Sequence, residues 1–317
     1  LRRLSSFQAV DLELLFLGTA GAVPTVARNT SGLLLVRGGT RVLVDCGEGT
    51  QRQLMRSAGV RVDHIFLTHL HGDHYLGLPG LLKTMSLQGR EGSLDIWGPP
   101  GLEELFNGSY RVFGRQLFAL NLHEARPGVV TQIDGCRVIA ARTEHGPPSL
   151  AYAFEEESRP GLFHPERAVA LGVPPGPLFR QLQLGETVRG ENGRLVEPEE
   201  VMDGRRPGRK IVISGDTRPT FNVIELARAA TVLVHDATFS EEERERAVET
   251  RHSTAAEAAG VAALAGAGLL VLTHISSRHS RGELLAEASG VFASSVLPSD
   301  FDRLVVPYPD KGSPRFL

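Results

Sequence analysis

The amino-acid sequence predicts a layered α/β fold. Short apolar or β-branched runs recur along the chain, most end at a polar or ionisable residue, and helical segments stand between them. LELLFLG (12–18) reads as a strand, and GLLLVRGGTRVLVDCGEG (32–49), broken by a Gly pair, as a hairpin. GTQRQLMRSAG predicts a short helix ended by Gly59. HIFLTH is a buried strand that runs into a histidine cluster, GLPGLLKTMSLQ is helical, and LDIWGPPG is a strand and turn. CRVIAART, LAYAF, KIVISGD, TVLVHDAT and LLVLTHIS are further strands. EEERERAVE (241–249) and the Ala-rich TAAEAAGVAALAGAG (254–268) are helical, with Ser253 as the expected cap of the second.

The 317 residues are 41% hydrophobic and 22% charged, a soluble globular composition that excludes a disordered or fibrous chain. The formal charge of −3 excludes nucleic-acid binding by bulk positive charge, so any polyanion site is local. Cys46 and Cys136 have no CxxC spacing and suggest neither a disulfide framework nor a thiolate zinc site. The start, LRRLSSFQAV, lacks an apolar leader core, and no run approaches the roughly 18 apolar residues of a membrane span. A cytoplasmic protein with no membrane contact is expected.

Residues 155–210 differ from the rest, with 15 Gly and Pro, 9 basic and 10 acidic residues. They read as a solvated loop or as a protruding functional arm, since long structureless loops are uncommon in compact domains.

Histidine carries the strongest chemical signal. His69-Leu-His71-Gly-Asp73-His74 packs three imidazoles and a carboxylate into six residues at the end of an apolar strand. Such ligands suit Zn²⁺ or Mn²⁺, and the turn at Gly72 lets one stretch serve two ions. Further ligands are expected at other strand ends: His145, Asp216, His235, Asp236 and His274. His64, at the start of its strand, reads as a satisfied or surface histidine.

These residues resemble the metallo-β-lactamase superfamily in its phosphodiesterase branch. LLFLGTAGAVPTVARNTSG, LVDCGEGTQRQL, FLTHLHGDHYLGLPGLL, SLQGR, WGPPG, ISGDTRP, HDATF, RHSTAAEAA and LTHISSRH are similar to the tRNase Z (ribonuclease Z) family from residue 12 to about 280. The resemblance implies a four-layer αββα sandwich over residues 12–310, with residues 155–200 as an inserted exosite arm that clamps the tRNA elbow. It implies that His69, His71 and His145 bind one metal, that Asp73, His74 and His274 bind the other, and that Asp216 bridges them. It also implies a homodimer and precursor tRNA as partner. Two departures stand out: Val26 occupies a place where the family commonly has lysine, and its HEAT stretch reads HDAT here, leaving His235 and Asp236 outside the ligand set.

Two divalent ions about 3.5–4 Å apart activate a shared water and stabilise charge on an attacked phosphodiester. The expected reaction removes the 3′ trailer of precursor tRNA, and the resemblance implies a 3′-hydroxyl on the tRNA and a 5′-phosphate on the trailer. Asp73 is expected to orient or deprotonate the water as well as ligate, and His252 to protonate the leaving 3′-oxygen or hold the phosphate. Arg28, Asn29, Lys83 and Arg90 are candidate contacts to phosphates or 3′ nucleotides. The rivals are a small-molecule hydrolase of the same superfamily (phosphodiesterase, lactonase or arylsulfatase-like) and a non-catalytic RNA-binding protein. The long arm argues against the first and the full ligand set against the second.

Overall fold

The computed structural model describes residues 11–317, so LRRLSSFQAV lies outside the described residues apart from its sequence. The strands, in order, are β1 (Leu12–Gly18), β2 (Gly32–Arg37), β3 (Thr40–Val44), β4 (His64–Phe66), β5 (Leu94–Gly98), β6 (Leu120–Glu124), β7 (Gly128–Ile133), β8 (Cys136–Arg142), β9 (Leu150–Glu156), β10 (Val188–Arg189), β11 (Leu195–Val196), β12 (Lys210–Ile213), β13 (Val232–Asp236), β14 (Leu270–Thr273), β15 (Ser295–Val296), β16 (Arg303–Val305) and β17 (Arg315–Phe316). Between them lie α1 (Thr50–Ser57), α2 (Gly72–Tyr75), α3 (Leu78–Leu87), α4 (Leu102–Gly108), α5 (Tyr110–Phe113), α6 (Pro165–Ala170), α7 (Pro177–Gln183), α8 (Pro198–Val201), α9 (Phe221–Leu226), α10 (Arg244–Thr250), α11 (Ala255–Ala265) and α12 (Arg281–Val291).

Two mixed sheets form the body, one in the order β17-β16-β1-β2-β3-β4-β5-β6 and the other β15-β14-β13-β12-β9-β8-β7. Their layering follows from alternation of side chains along each strand. In β1, Leu12, Leu14 and Phe16 join the cluster shared by both sheets, with Val42, Phe66, Tyr152, Ile211 and Val234. Leu15 and Leu17 face the other way, onto Leu54 of α1, Leu81 of α3 and Leu102 of α4. On the second sheet, Val212 and Leu233 meet Val223 of α9, Ala258 of α11 and Leu284 of α12. Strands buried on both faces read as near-continuous apolar runs, which is why the sequence shows them so plainly. The result is the αββα sandwich.

The helix α11 shows how local chemistry sets a boundary. Thr254 caps it, accepting from the Glu257 amide while Glu257 bonds back to the Thr254 amide, and Gly266 ends it in the left-handed region. The cap is therefore Thr254; Ser253, expected in that role, donates instead to the Thr217 carbonyl at 2.6 Å.

Residues Glu156–Gly208 with Tyr308–Asp310 form a second compact unit. It contains α6, α7, α8 and the β10–β11 hairpin, around a small core of Ala168, Val173, Leu182, Val188, Val196 and Val201. Each of its three helices starts on a proline, Pro165, Pro177 or Pro198, where a missing amide hydrogen is harmless. Asp310 accepts from Arg159 and from Arg206, the latter at 2.8 Å. Among the described residues no helix is long and apolar enough to cross a membrane.

Candidate metal centre

The predicted ligands all stand beyond the C-terminal ends of strands. His69 and His71 follow β4, and Asp73 and His74 lie in α2 immediately after. His145 follows β8, Asp216 follows β12, and His274 follows β14. The crossing of these loops demands close backbone approach. A Cβ at Gly47 would stand 2.2 Å from the Asp73 carbonyl oxygen, and one at Gly215, whose φ is +60°, would stand 2.7 Å from Thr68 Cβ.

Asp216 is the hub of the arrangement. Its Oδ2 lies 3.3 Å from His74 Nε2, 3.3 Å from His274 Nε2, 3.6 Å from His69 Nε2 and 4.0 Å from His145 Nε2. Asp73 Oδ2 is 3.3 Å from His274 Nε2 and 3.5 Å from His74 Nε2, and it accepts from the Ala22 amide. His71 Nδ1 is 3.1 Å from His145 Nε2.

Outer partners turn four imidazoles so that Nε2 faces inward. His74 Nδ1–H donates to Asp45 at 2.8 Å, and His145 Nδ1–H to the Arg251 carbonyl at 3.0 Å. His69 Nδ1 meets the Thr68 hydroxyl, which itself donates to Asp45. His274 Nδ1 meets the Thr238 hydroxyl at 2.8 Å, and Thr238 donates to Asp236 Oδ1. A partner on one ring nitrogen fixes the tautomer and leaves the other nitrogen's lone pair for a cation.

Burial would raise the carboxyls of Asp216 and Asp73, yet the surrounding imidazoles, His274 and His74 among them, hold both below the usual carboxylate range. Burial pushes His69 well below an ordinary histidine, helped by the neighbouring His74. In His74 burial opposes the charged form, but Asp216 and Asp45 outweigh it and raise its pKa well above normal. The field at Asp216 thus favours positive charge.

The residues fit divalent metal ions. Among the described residues His69 Nε2 is buried without a hydrogen-bond partner, which is costly unless a cation takes the lone pair. Two ligand groups converge, His69 with His71 and His145, and Asp73 with His74, Asp216 and His274, each with its donor atoms within 4.8 Å of one another. A third group, Asp216, Asp236, His252 and His274, meets the same spacing. Mixed nitrogen and oxygen donors suit borderline divalent ions.

The Beta-lactamase superfamily domain matches residues 40–166. A ribonuclease Z of Methanosarcina acetivorans is 47% identical over 303 residues, covering 94% of this chain and 99% of the relative. The chain belongs to the ribonuclease Z family. A Haloferax volcanii ribonuclease Z is 49% identical, covering 93% of this chain and 95% of the relative, and one from Myxococcus xanthus is 46% identical, covering 94% and 98%. Human tRNase Z, short form, aligns with a TM-score of 0.66 at 29% identity, covering 94% of this chain and 99% of that one. The metallo-beta-lactamase fold protein YhfI of Bacillus subtilis shares the fold, with a TM-score of 0.70 at 18% identity over 93% and 99% of the chains.

His252 sits beside the cluster, its ring stacked on His274 with centroids 5.1 Å apart. Its Nδ1 is 2.9 Å from Asp236 Oδ2, so the aspartate of HDAT, one methylene shorter than glutamate, still reaches. Burial opposes protonation of His252, but Asp236 and Asp216 outweigh it and raise its pKa to about 9.

The four substrate candidates stand differently. Arg28 donates to the Pro298 carbonyl at 2.8 Å and to Thr19, and Asn29 Nδ2 to the Glu48 carbonyl at 2.8 Å, so both side chains tie down the loop after β1. Arg90 donates to the carbonyls of Val62, Gly92 and Ser93, which precede β4 and β5, at the opposite end of those strands from the ligands. Lys83 is exposed on α3. No hydrogen bond or ion pair joins any of the four to the predicted ligands among the described residues. Val26 is fully exposed.

Sequence reasoning missed Asp45, Thr68, Thr238 and Arg251, which hold the imidazoles from behind. Asp45 in LVDCGEG carries a legible signal, a carboxylate at the end of an apolar strand. Thr68 and Thr238 carry none, because a threonine looks alike in sequence whether it holds a ligand or caps a turn. Of the unassigned histidines, His64 Nδ1 lies 3.8 Å and His123 Nε2 2.9 Å from Asp95, His164 meets Asp203, His279 meets Glu243, and His235 is buried with Nδ1 on the Asp236 carbonyl.

Proposed function

We propose that this protein is a metal-dependent endoribonuclease that removes the 3′ trailer from precursor tRNA, leaving a 3′-hydroxyl on the tRNA and a 5′-phosphate on the trailer. The observation that carries the reading is the convergence of two His/Asp ligand groups, with the Nε2 atoms of His69, His74, His145 and His274 turned toward Asp216, in a chain of the ribonuclease Z family.

In this reading His69, His71 and His145 hold one divalent ion, Asp73, His74 and His274 a second, and Asp216 both; Zn²⁺ is the first choice and Mn²⁺ the second. When bound, such a pair supplies Lewis acidity toward the phosphate and lowers the pKa of an attacking water. Asp73, a ligand with one oxygen facing His274 and His74, orients that water. Asp236 holds the Nδ1 proton of His252, and His252 Nε2, with no partner among the described residues, delivers a proton to the leaving 3′-oxygen. Thr238 ties Asp236 to His274, so donor and ligand keep one geometry.

Substrate binding is assigned to residues 155–200 as a tRNA-binding arm. Arg167, Arg180 and Arg189 are exposed and form no ion pair among the described residues, which suits phosphate contacts. A homodimer and a cytoplasmic location complete the proposal.

The test is incubation of the pure protein with Zn²⁺ or Mn²⁺ and a pre-tRNA bearing a 3′ trailer, with both product ends mapped. A single cut leaving a 3′-hydroxyl at the tRNA end supports the reading. Intact pre-tRNA alongside rapid hydrolysis of small esters overturns it in favour of a small-molecule hydrolase.

A further inference from the structure

Seven described non-glycine residues have a positive φ: Ala22, Asp45, Asp134, Ala229, Arg251, His274 and Phe301. His274 is itself a predicted ligand, and three others hydrogen-bond to one, since Ala22 bonds Asp73, Asp45 bonds His74, and Arg251 bonds His145. Backbone strain of this kind persists where the surroundings over-determine it.

Arg251 is the least explained of these. It follows α10 with φ 59° and ψ 47°, a helix-ending position that glycine fills without penalty. Its structural services come from the main chain: its amide bonds back to the Val248 carbonyl, and its carbonyl accepts from His145 Nδ1. Glycine would perform both. What only arginine adds is the guanidinium.

That guanidinium is placed at the centre's edge. Its Nη1 donates to the main-chain carbonyl of His145 at 3.2 Å, and the residue is exposed. Arg218 is committed to Glu257 and Arg244 to Glu241, and Arg246 lies over the Phe239 ring, whereas Arg251 forms no ion pair among the described residues. One donor of five is engaged and the rest remain available to an oxyanion. The next residue in the chain is His252.

We propose that the Arg251 guanidinium binds a backbone phosphate of the RNA next to the scissile bond, while its carbonyl holds His145. This rests on the functional reading above and deepens it by naming a substrate contact. Arginine presents a planar fork of donors that matches a phosphate, and a charge-assisted contact of this kind strengthens binding at least about tenfold.

The test uses the metal-loaded full chain as wild type, Arg251→Gly and Arg251→Lys, with melting temperature, bound metal, and KM and kcat for trailer-bearing pre-tRNA over a salt series. Arg251→Gly is expected to melt at or above the wild-type temperature and to keep its metal. Its KM rises about tenfold with a smaller change in kcat, and log KM rises less steeply with log salt, by about 0.7, as for one lost phosphate contact on a single strand. Arg251→Lys recovers most of the salt dependence. An unchanged KM and salt dependence in the glycine variant overturns the contact. So does a fall in kcat and bound metal without a KM effect, which leaves only support of His145, or a lower melting temperature, which makes the side chain a strut. If wild type leaves pre-tRNA uncut, the functional reading itself fails and the contact falls with it.

Discussion

The centre around Asp216 and the unit formed by Glu156–Gly208 with Tyr308–Asp310 are built on opposite principles. At the centre four of the five predicted ligand imidazoles have a second hydrogen bond behind them, to Asp45, Thr68, Thr238 or the Arg251 carbonyl. The side chains among these supports are buried, with Asp45 5% and Thr238 6% exposed. The second unit has helices of four to seven residues and a core of six buried side chains, and Arg167, Arg180 and Arg189 on it are exposed. The difference matches the division in the proposed function: bond cleavage needs groups held to a fraction of an ångström, whereas the tRNA-binding role proposed for residues 155–200 needs reach and exposed charge.

Removing metal with a chelator should lower pre-tRNA cleavage by about a thousandfold or more, with recovery on adding Zn²⁺ or Mn²⁺, because the stabilisation of transition-state charge is worth several kcal/mol. Cleavage that survives exhaustive chelation, checked by metal analysis, would break the account of the centre. Next, Asp45→Ala, which strips support from His74 without removing a ligand, should weaken metal binding about 10–100-fold, measured by competition with a coloured chelator. Deleting residues 160–190 should raise KM for pre-tRNA by at least about tenfold. Hydrolysis of bis(p-nitrophenyl) phosphate should fall far less, and equal losses on both substrates would erase the division between the regions. The smallest effect on cleavage belongs to Leu182→Ala, in the core of the second unit with no exposed surface. It should cost about 2–5 kcal/mol locally, seen as faster amide exchange across α7 and α8 with little change around α11.

The centre was legible because metal chemistry concentrates rare residue types. HLHGDH is dense in ligands, and His145, Asp216 and His274 each end an apolar strand, so pattern and chemistry coincide. The strands buried on both faces were equally plain. The edge elements were not: β6 (LNLHE) and β7 (GVVTQI) alternate polar and apolar residues weakly, and β15, β16 and β17 have only two or three residues. In the second unit proline concealed the helices. Counted as loop composition, Pro165, Pro177 and Pro198 in fact open α6, α7 and α8. The supports behind the ligands stayed hidden because their roles come from tertiary neighbours: Thr68 reaches Asp45 across 23 positions, and Thr238 reaches His274 across 36.

The proposed function divides the labour: cleavage falls to the centre around Asp216, and most of the RNA-binding energy to residues 155–200. It is tested most directly by Asp73→Ala, titrated with trailer-bearing pre-tRNA while cleavage is followed in the same samples. The account predicts no detectable cleavage and a dissociation constant within about threefold of the wild-type value, a difference of less than 1 kcal/mol. Loss of binding by tenfold or more, with cleavage persisting, would contradict it.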